Sequence, residues 1–286
     1  MFFNGFTLHE NLRETLHQTG GIRLRTGGTG PALLLLHGQP QSHAMWHGVA
    51  GLLADRFSLV CPDLPAGRSE RQLASDMLAL MQRLGHRSFG VAGHDVGGHV
   101  ACRMALDAPD RVQRLAALEI VPIPEQLDRN DMAYALAGYQ SCWFGQLHPK
   151  PEALVTRAPD AWFRSPATRE DAPYFHPEAV ADYLRLGGGV GEAAPHALPP
   201  DHRAGPPPEA VGRRTRIDCP TLVIWGTGGR IGGWYDPLAL WRECVDGEVS
   251  GGPLPAGHFL AEEAPDAVAA AFRSFFGVMP RAQILS

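Results

Sequence analysis

Two rhythms of apolar residues alternate along the chain. Short, nearly unbroken apolar runs at 31–36, 57–61, 89–92, 112–121 and 221–226 have the length and continuity of parallel strands covered on both faces. Between them, Leu73, Met77, Leu80, Met81 and Leu84 recur at helical spacing until Gly85 stops them, and Val100, Ala101, Met104 and Ala105 repeat the pattern. Further helices are predicted over 237–245 and 265–276, and a short strand over 21–25 leads into the turn Gly27-Gly28-Thr29-Gly30. Strands alternating with helices imply an α/β fold, a mostly parallel sheet flanked by helices and wound by right-handed crossovers. Such a sheet binds ligands at the carboxyl ends of its strands, where His37, Asp63, Asp95 and Glu119 fall.

The rhythm lapses from Pro122 to about Arg213. This stretch is rich in proline, glycine and aromatic residues, with helical pieces over 131–144 and 177–186, and reads as an inserted, mainly helical cap. The expected organisation is a core over 1–121, a cap over 122–213 and the rest of the core over 214–286.

Composition narrows the function. At 286 residues, 44% hydrophobic and 19% charged, the chain suits one large globular domain carrying an insertion. A net charge of -5 without a basic patch argues against nucleic acid as a partner. The five cysteines are odd in number, scattered and without metal-ligand spacing, which fits reduced thiols and no bound metal. No basic-then-apolar leader opens the chain, and its apolar runs are too short to span a membrane, so a cytoplasmic setting is expected. The glycines of 226–233 miss the dinucleotide fingerprint, which leaves no cofactor to expect. The expected partner is a small-molecule substrate, and a homodimer is compatible with the sequence.

The chemistry concentrates at Gly93-His94-Asp95-Val96-Gly97-Gly98. Small residues two positions either side of Asp95, between a strand and a helix, fit a nucleophile elbow, in which a strained turn pushes one side chain above the sheet. The competing reading is a helix whose first amides Asp95 caps. A carboxylate is ionised at neutral pH and can attack saturated carbon, opening an epoxide or displacing halide to leave an alkyl ester.

Further along stand His37-Gly38-Gln39-Pro40, Asp63-Leu64-Pro65, Asp107-Ala108-Pro109-Asp110-Arg111-Val112, and Gly257-His258-Phe259-Leu260 followed by Glu262-Glu263-Ala264-Pro265. With the elbow, these motifs resemble the α/β-hydrolase fold, and within it the branch of epoxide hydrolases and haloacetate dehalogenases. The resemblance spans nearly the whole chain. It implies Asp95 as nucleophile, His258 as the base that activates water against the ester, and the backbone amides of Gln39 and Val96 as an oxyanion hole. The acid that orients His258 is expected at Glu119, where haloacetate-like members carry it, with Asp236 as the alternative. The place most members use, three residues beyond Gly226, holds Gly229. His37, His43 and His94 are expected to be structural.

Departures from that family shape the expected substrate. Where fluoroacetate-type enzymes clamp a carboxylate with two arginines, this chain has Val96 and His99, so a small carboxylate loses its bidentate donors. Their halide-binding His-Trp pair, after a tyrosine matched by Tyr139, aligns with Gln140 and Ser141, and a further cap tyrosine aligns with His202. Gln140 and His202 could donate hydrogen bonds to an opening oxirane oxygen, and Trp143 could wall an apolar pocket. The resemblance therefore implies an epoxide hydrolase for a neutral, largely apolar epoxide. The rivals are a dehalogenase of uncharged organohalides and a non-hydrolytic, ligand-binding member.

Overall fold

The computed structural model describes residues 2–12, 21–39, 41–65, 68–122, 174–187 and 216–279. In chain order its strands are β1 (Thr7–Leu12), β2 (Ile22–Gly27), β3 (Ala32–Leu36), β4 (Ser58–Pro62), β5 (Phe89–His94), β6 (Val112–Leu118), β7 (Thr221–Gly226) and β8 (Val249–Leu254). They form one sheet in the order β1-β2-β4-β3-β5-β6-β7-β8. The pairs β1/β2 and β2/β4 are antiparallel and every other neighbouring pair is parallel. The helices are α1 (His47–Leu53), α2 (Glu70–Arg83), α3 (Val96–Asp107), α4 (Pro177–Gly187), α5 (Ile231–Trp234), α6 (Pro237–Cys244), α7 (Leu260–Glu263) and α8 (Pro265–Phe276).

The unbroken leucines of β3 conceal a period of two. Leu33 and Leu35 enter one core with α1 and α8, whereas Leu34 and Leu36 enter the other with α2 and α3. All four are fully buried, as a central strand covered on both faces requires. α2 starts three residues earlier than its apolar spacing suggests, because Ser69 and Gln72 form a capping box that satisfies the first turn. At the other end, Gly85 follows the last residues of α2 at φ +84°, where a side chain would be strained.

Two strands depart from the expectation. β1 is polar and substantially exposed, and β8 (Val-Ser-Gly-Gly-Pro-Leu) has no buried residue, so neither carries the apolar signal of a covered strand. Both lie at sheet edges. Glycine is needed in β8, where a Cβ at Gly251 would lie 1.9 Å from the Val223 carbonyl oxygen. The strand expected over 112–121 ends at Leu118, because Glu119 turns to φ +54°. Most of the expected cap lies outside the described residues, with α4 as its described helix.

Candidate active site

The elbow sits at the carboxyl end of β5. Asp95 adopts φ 50° and ψ -123°, a conformation that L-residues avoid. Neighbouring backbone holds it there: its N–H donates to the Leu118 carbonyl at 3.1 Å, and its own carbonyl accepts from Gly98 N at 2.8 Å. The glycines are sterically required. A Cβ at Gly93 would stand 2.2 Å from the Gly97 carbonyl oxygen, and one at Gly97 would stand 2.5 Å from that of His37. Asp95 makes no side-chain cap bond to α3, and its carboxylate remains 32% exposed, so the helix-cap reading does not describe it.

Glu119 makes a second strained turn, after the adjacent strand. It too has positive φ, at 54°, and its N–H donates to the Ile224 carbonyl at 3.0 Å. Its buried Oε1 accepts from Gly226 N at 2.5 Å, which leaves Oε2 to face His258 Nδ1 at 3.3 Å. A Cβ at Gly229 would come within 2.7 Å of that Oε1. The carboxylate thus fills the space that a side chain at 229 would need. Asp236 is exposed and accepts from Ala239 N at 3.1 Å as the cap of α6, so the structure does not support it as the alternative acid.

His258 lies between the two acids, with Nε2 3.9 Å from Asp95 Oδ2. Burial alone would lower the imidazole pKa, but the hydrogen bond to Glu119 and the charges of Asp95 and Glu119 prevail over burial and over Arg230, raising it above 6.5. Below this loop, the buried His94 donates from Nε2 to the His258 carbonyl at 2.7 Å. Burial, with help from His258, drives the His94 pKa down to about 4, so it stays neutral. His37 donates from Nδ1 to the Gly38 carbonyl at 2.9 Å and accepts from Leu64 N at 2.9 Å, the structural role expected of it.

The Gly38–Gln39 turn abuts the elbow: a Cβ at Gly38 would stand 2.8 Å from Asp95 Cβ. Val96 opens α3, where backbone N–H groups have no partner within the helix. His99 lies one turn further and is buried. Tyr139, Gln140, Trp143 and His202 lie outside the described residues.

Sequence reading missed two polar clusters that join α4 to the core. In the first, Asp182 meets Arg23 at 2.9 Å and accepts from Ser42 Oγ at 2.6 Å, while Asp63 binds His43 Nδ1 at 2.7 Å and meets Arg23 at 3.4 Å and Arg185 at 3.6 Å. His43, Asp63 and Asp182 could converge on a cation, but the two arginines already balance their charge, which makes an ion-pair network of the group. In the second, Glu262 accepts from Tyr183 Oη at 2.7 Å and from Gln41 Nε2 at 2.5 Å. The recoverable signal for that cluster was the position of Glu262 one helical turn after His258.

The arrangement sets a partly exposed carboxylate on a strained turn beside a histidine–carboxylate pair at the carboxyl edge of a mostly parallel sheet. The chain belongs to the α/β-hydrolase fold family, whose profile matches residues 31–265, and within it to the epoxide hydrolase and dehalogenase branch. A fluoroacetate dehalogenase of Burkholderia sp is 33% identical, with 94% of this chain and 95% of that protein aligned. The soluble epoxide hydrolase of Corynebacterium sp. (strain C12) is 30% identical, with 92% and 97% aligned. Among solved structures, a Pseudomonas aeruginosa protein provisionally assigned as an epoxide hydrolase superposes with a TM-score of 0.83 at 32% identity, covering 97% of each chain. The protein is thus a hydrolase of the α/β family, and no helix among the described residues is long and apolar enough to cross a membrane.

Proposed function

We propose that the protein is an epoxide hydrolase for a neutral, largely apolar epoxide. Asp95 attacks a ring carbon, the C–O bond breaks, and the oxirane oxygen takes a proton to leave a hydroxyalkyl ester on Asp95. Gln140 and His202 are the proposed cap donors to that oxygen, both by hydrogen bond and His202 also as the source of the proton. His258, paired with Glu119, then removes a proton from water as it attacks the ester carbonyl; the amides of Gln39 and Val96 receive the oxyanion, and on collapse His258 returns that proton to the leaving alkoxide, which releases a diol and restores the carboxylate. The observation that carries this reading is the meeting of Asp95 and Glu119 on opposite nitrogens of one imidazole, at 3.9 and 3.3 Å. Carboxylate, imidazole and water suffice for these steps, so the proposal needs no cofactor. We also propose the division into core 1–121, cap 122–213 and core 214–286, with a cytoplasmic setting and a possible homodimer.

Dehalogenation of uncharged organohalides is the second reading, favoured by the 33% identity to the Burkholderia enzyme. The two are separated by His258→Gln, which spares attack and blocks ester hydrolysis, followed by intact-protein mass spectrometry after exposure to epoxides and organohalides. A gain equal to a whole epoxide, mapped to Asp95, supports the first reading. A gain equal to an organohalide less its hydrogen halide supports the second. No adduct from either panel overturns both and leaves the non-hydrolytic, ligand-binding alternative.

A further inference from the structure

The carboxyl of Glu262 joins three separate parts of the molecule. Its backbone belongs to α7, the turn following His258, where its N–H donates to the Phe259 carbonyl at 2.9 Å. Its Oε2 receives Gln41 Nε2 at 2.5 Å, two residues beyond Gln39, and Gln41 N itself closes the turn onto the Gly38 carbonyl at 3.0 Å. Its Oε1 receives the Tyr183 hydroxyl of α4 at 2.7 Å. The neighbouring Glu263 does a different job: among the described residues it accepts from Gly257 N at 2.5 Å and Phe259 N at 2.9 Å, which holds its own loop.

We propose that Glu262 is a positioning residue for ester hydrolysis, whose carboxyl fixes the Gly38–Gln39 turn and helix α4 against the loop that bears His258. This rests on the proposed roles of Gln39 and His258. The surroundings also select its protonation state. Tyr183, with Asp182 beside it, and Tyr174 face it from the cap side, Gln41 faces it from the turn, and Glu263 lies on its own turn. Among the described residues no cation pairs with it. Burial, aided by the charge of Glu263, prevails over the two hydrogen bonds and lifts its pKa from 4.5 to about 8. It is therefore a neutral acid at neutral pH. The cluster otherwise leaves Gln41 Oε1 buried without a partner among the described residues, and the carboxyl proton supplies one more donor to the group.

Glu262→Gln, which imitates the neutral acid, and Glu262→Ala separate this role from bulk packing. Quenched-flow mass spectrometry with an epoxide that labels Asp95 reads alkylation and ester hydrolysis separately. The Gln variant is expected to keep both rates within about twofold of wild type, whereas the Ala variant alkylates normally and hydrolyses about tenfold more slowly or worse. Wild-type hydrolysis is expected to decline as pH rises through about 8 and that of the Gln variant to stay level. A folded Ala variant that hydrolyses at the wild-type rate, or a Gln variant as slow as Ala, overturns the proposal.

Thermal melts supply a readout independent of activity. Between pH 4.5 and about 8 the native state holds a proton that the unfolded chain releases, so wild type should lose stability with rising pH relative to Glu262→Gln. Parallel melting curves overturn the neutral acid. If no epoxide labels Asp95, the functional reading and the positioning role fall together, and the melts still decide the protonation state.

Discussion

The carboxylate of Glu119 occupies the space above Gly229: a Cβ there would come within 2.7 Å of its Oε1. The two positions therefore exclude one another as sites for an acid. Gly229→Asp should displace Glu119 from His258 Nδ1 and slow ester hydrolysis about a hundredfold, as misplacement of a base by an ångström does. The double change Glu119→Gly with Gly229→Asp should restore part of that loss. Single-turnover hydrolysis of labelled Asp95 is the measurement, and a Gly229→Asp single variant with an unchanged rate would refute the steric exclusion.

Strain at the elbow has a measurable cost. Asp95→Gly relieves a positive φ that Asp95→Ala retains, so the glycine variant should be the more stable of the two by about 1 kcal/mol. Urea unfolding of both variants gives the comparison. Equal midpoints would mean that the turn is not strained in the folded protein.

The pH dependence of hydrolysis should report on the pairing of His258 with Glu119. Only neutral His258 can take a proton from water, and its pKa is raised above 6.5, so hydrolysis should accelerate as pH rises through that value. Glu119→Gln removes the charge behind much of the rise and should move the ascending limb to lower pH. The same shift bears on stability, with the opposite sense. The folded state binds the proton more tightly, so the pair stabilises the protein at low pH and that contribution disappears as pH rises through the raised pKa. An ascending limb unmoved in Glu119→Gln would show that another group governs it.

Arg23 links the core to α4 through Asp63 at 3.4 Å and Asp182 at 2.9 Å, with its side chain 14% exposed. Arg23→Ala leaves both carboxylates short of a partner and should destabilise the protein by about 3 kcal/mol. Burial opposes ionisation of Asp63, yet hydrogen bonds from His43 and the nearby His43 and His37 hold its carboxyl well below the usual range. A group depressed in this way stabilises the protein above the ordinary aspartate pKa of 3.8, and the contribution disappears as pH falls toward the folded value. Acid unfolding of Asp63→Asn should therefore be shallower than that of wild type, and superimposable acid limbs would exclude Asp63 as a contributor.

Strands buried on both faces were legible because continuous apolar runs such as Leu33 to Leu36 have few other uses in a globular chain. β1 and β8 were not, since an edge strand can join the sheet through backbone bonds alone. The elbow and the histidine loop stood out because tight turns restrict residue type, as the space around Gly93 and Gly97 explains. Glu119 came from family resemblance; its local sequence, Leu-Glu-Ile-Val, does not disclose a positive φ. The role of Glu262 was not legible because its partners, Gln41 and Tyr183, are 221 and 79 residues away along the chain. Only the fold brings them together.

The amide of Asp95 is anchored on the end of β6 and that of Glu119 on the end of β7. Each acid thus takes its backbone position from the next strand over. On the proposed reading, exchanging the inserted region would leave this backbone frame in place but take Gln140 and His202 from the opening oxygen and Tyr183 from Glu262, so substrate choice and turnover would change together.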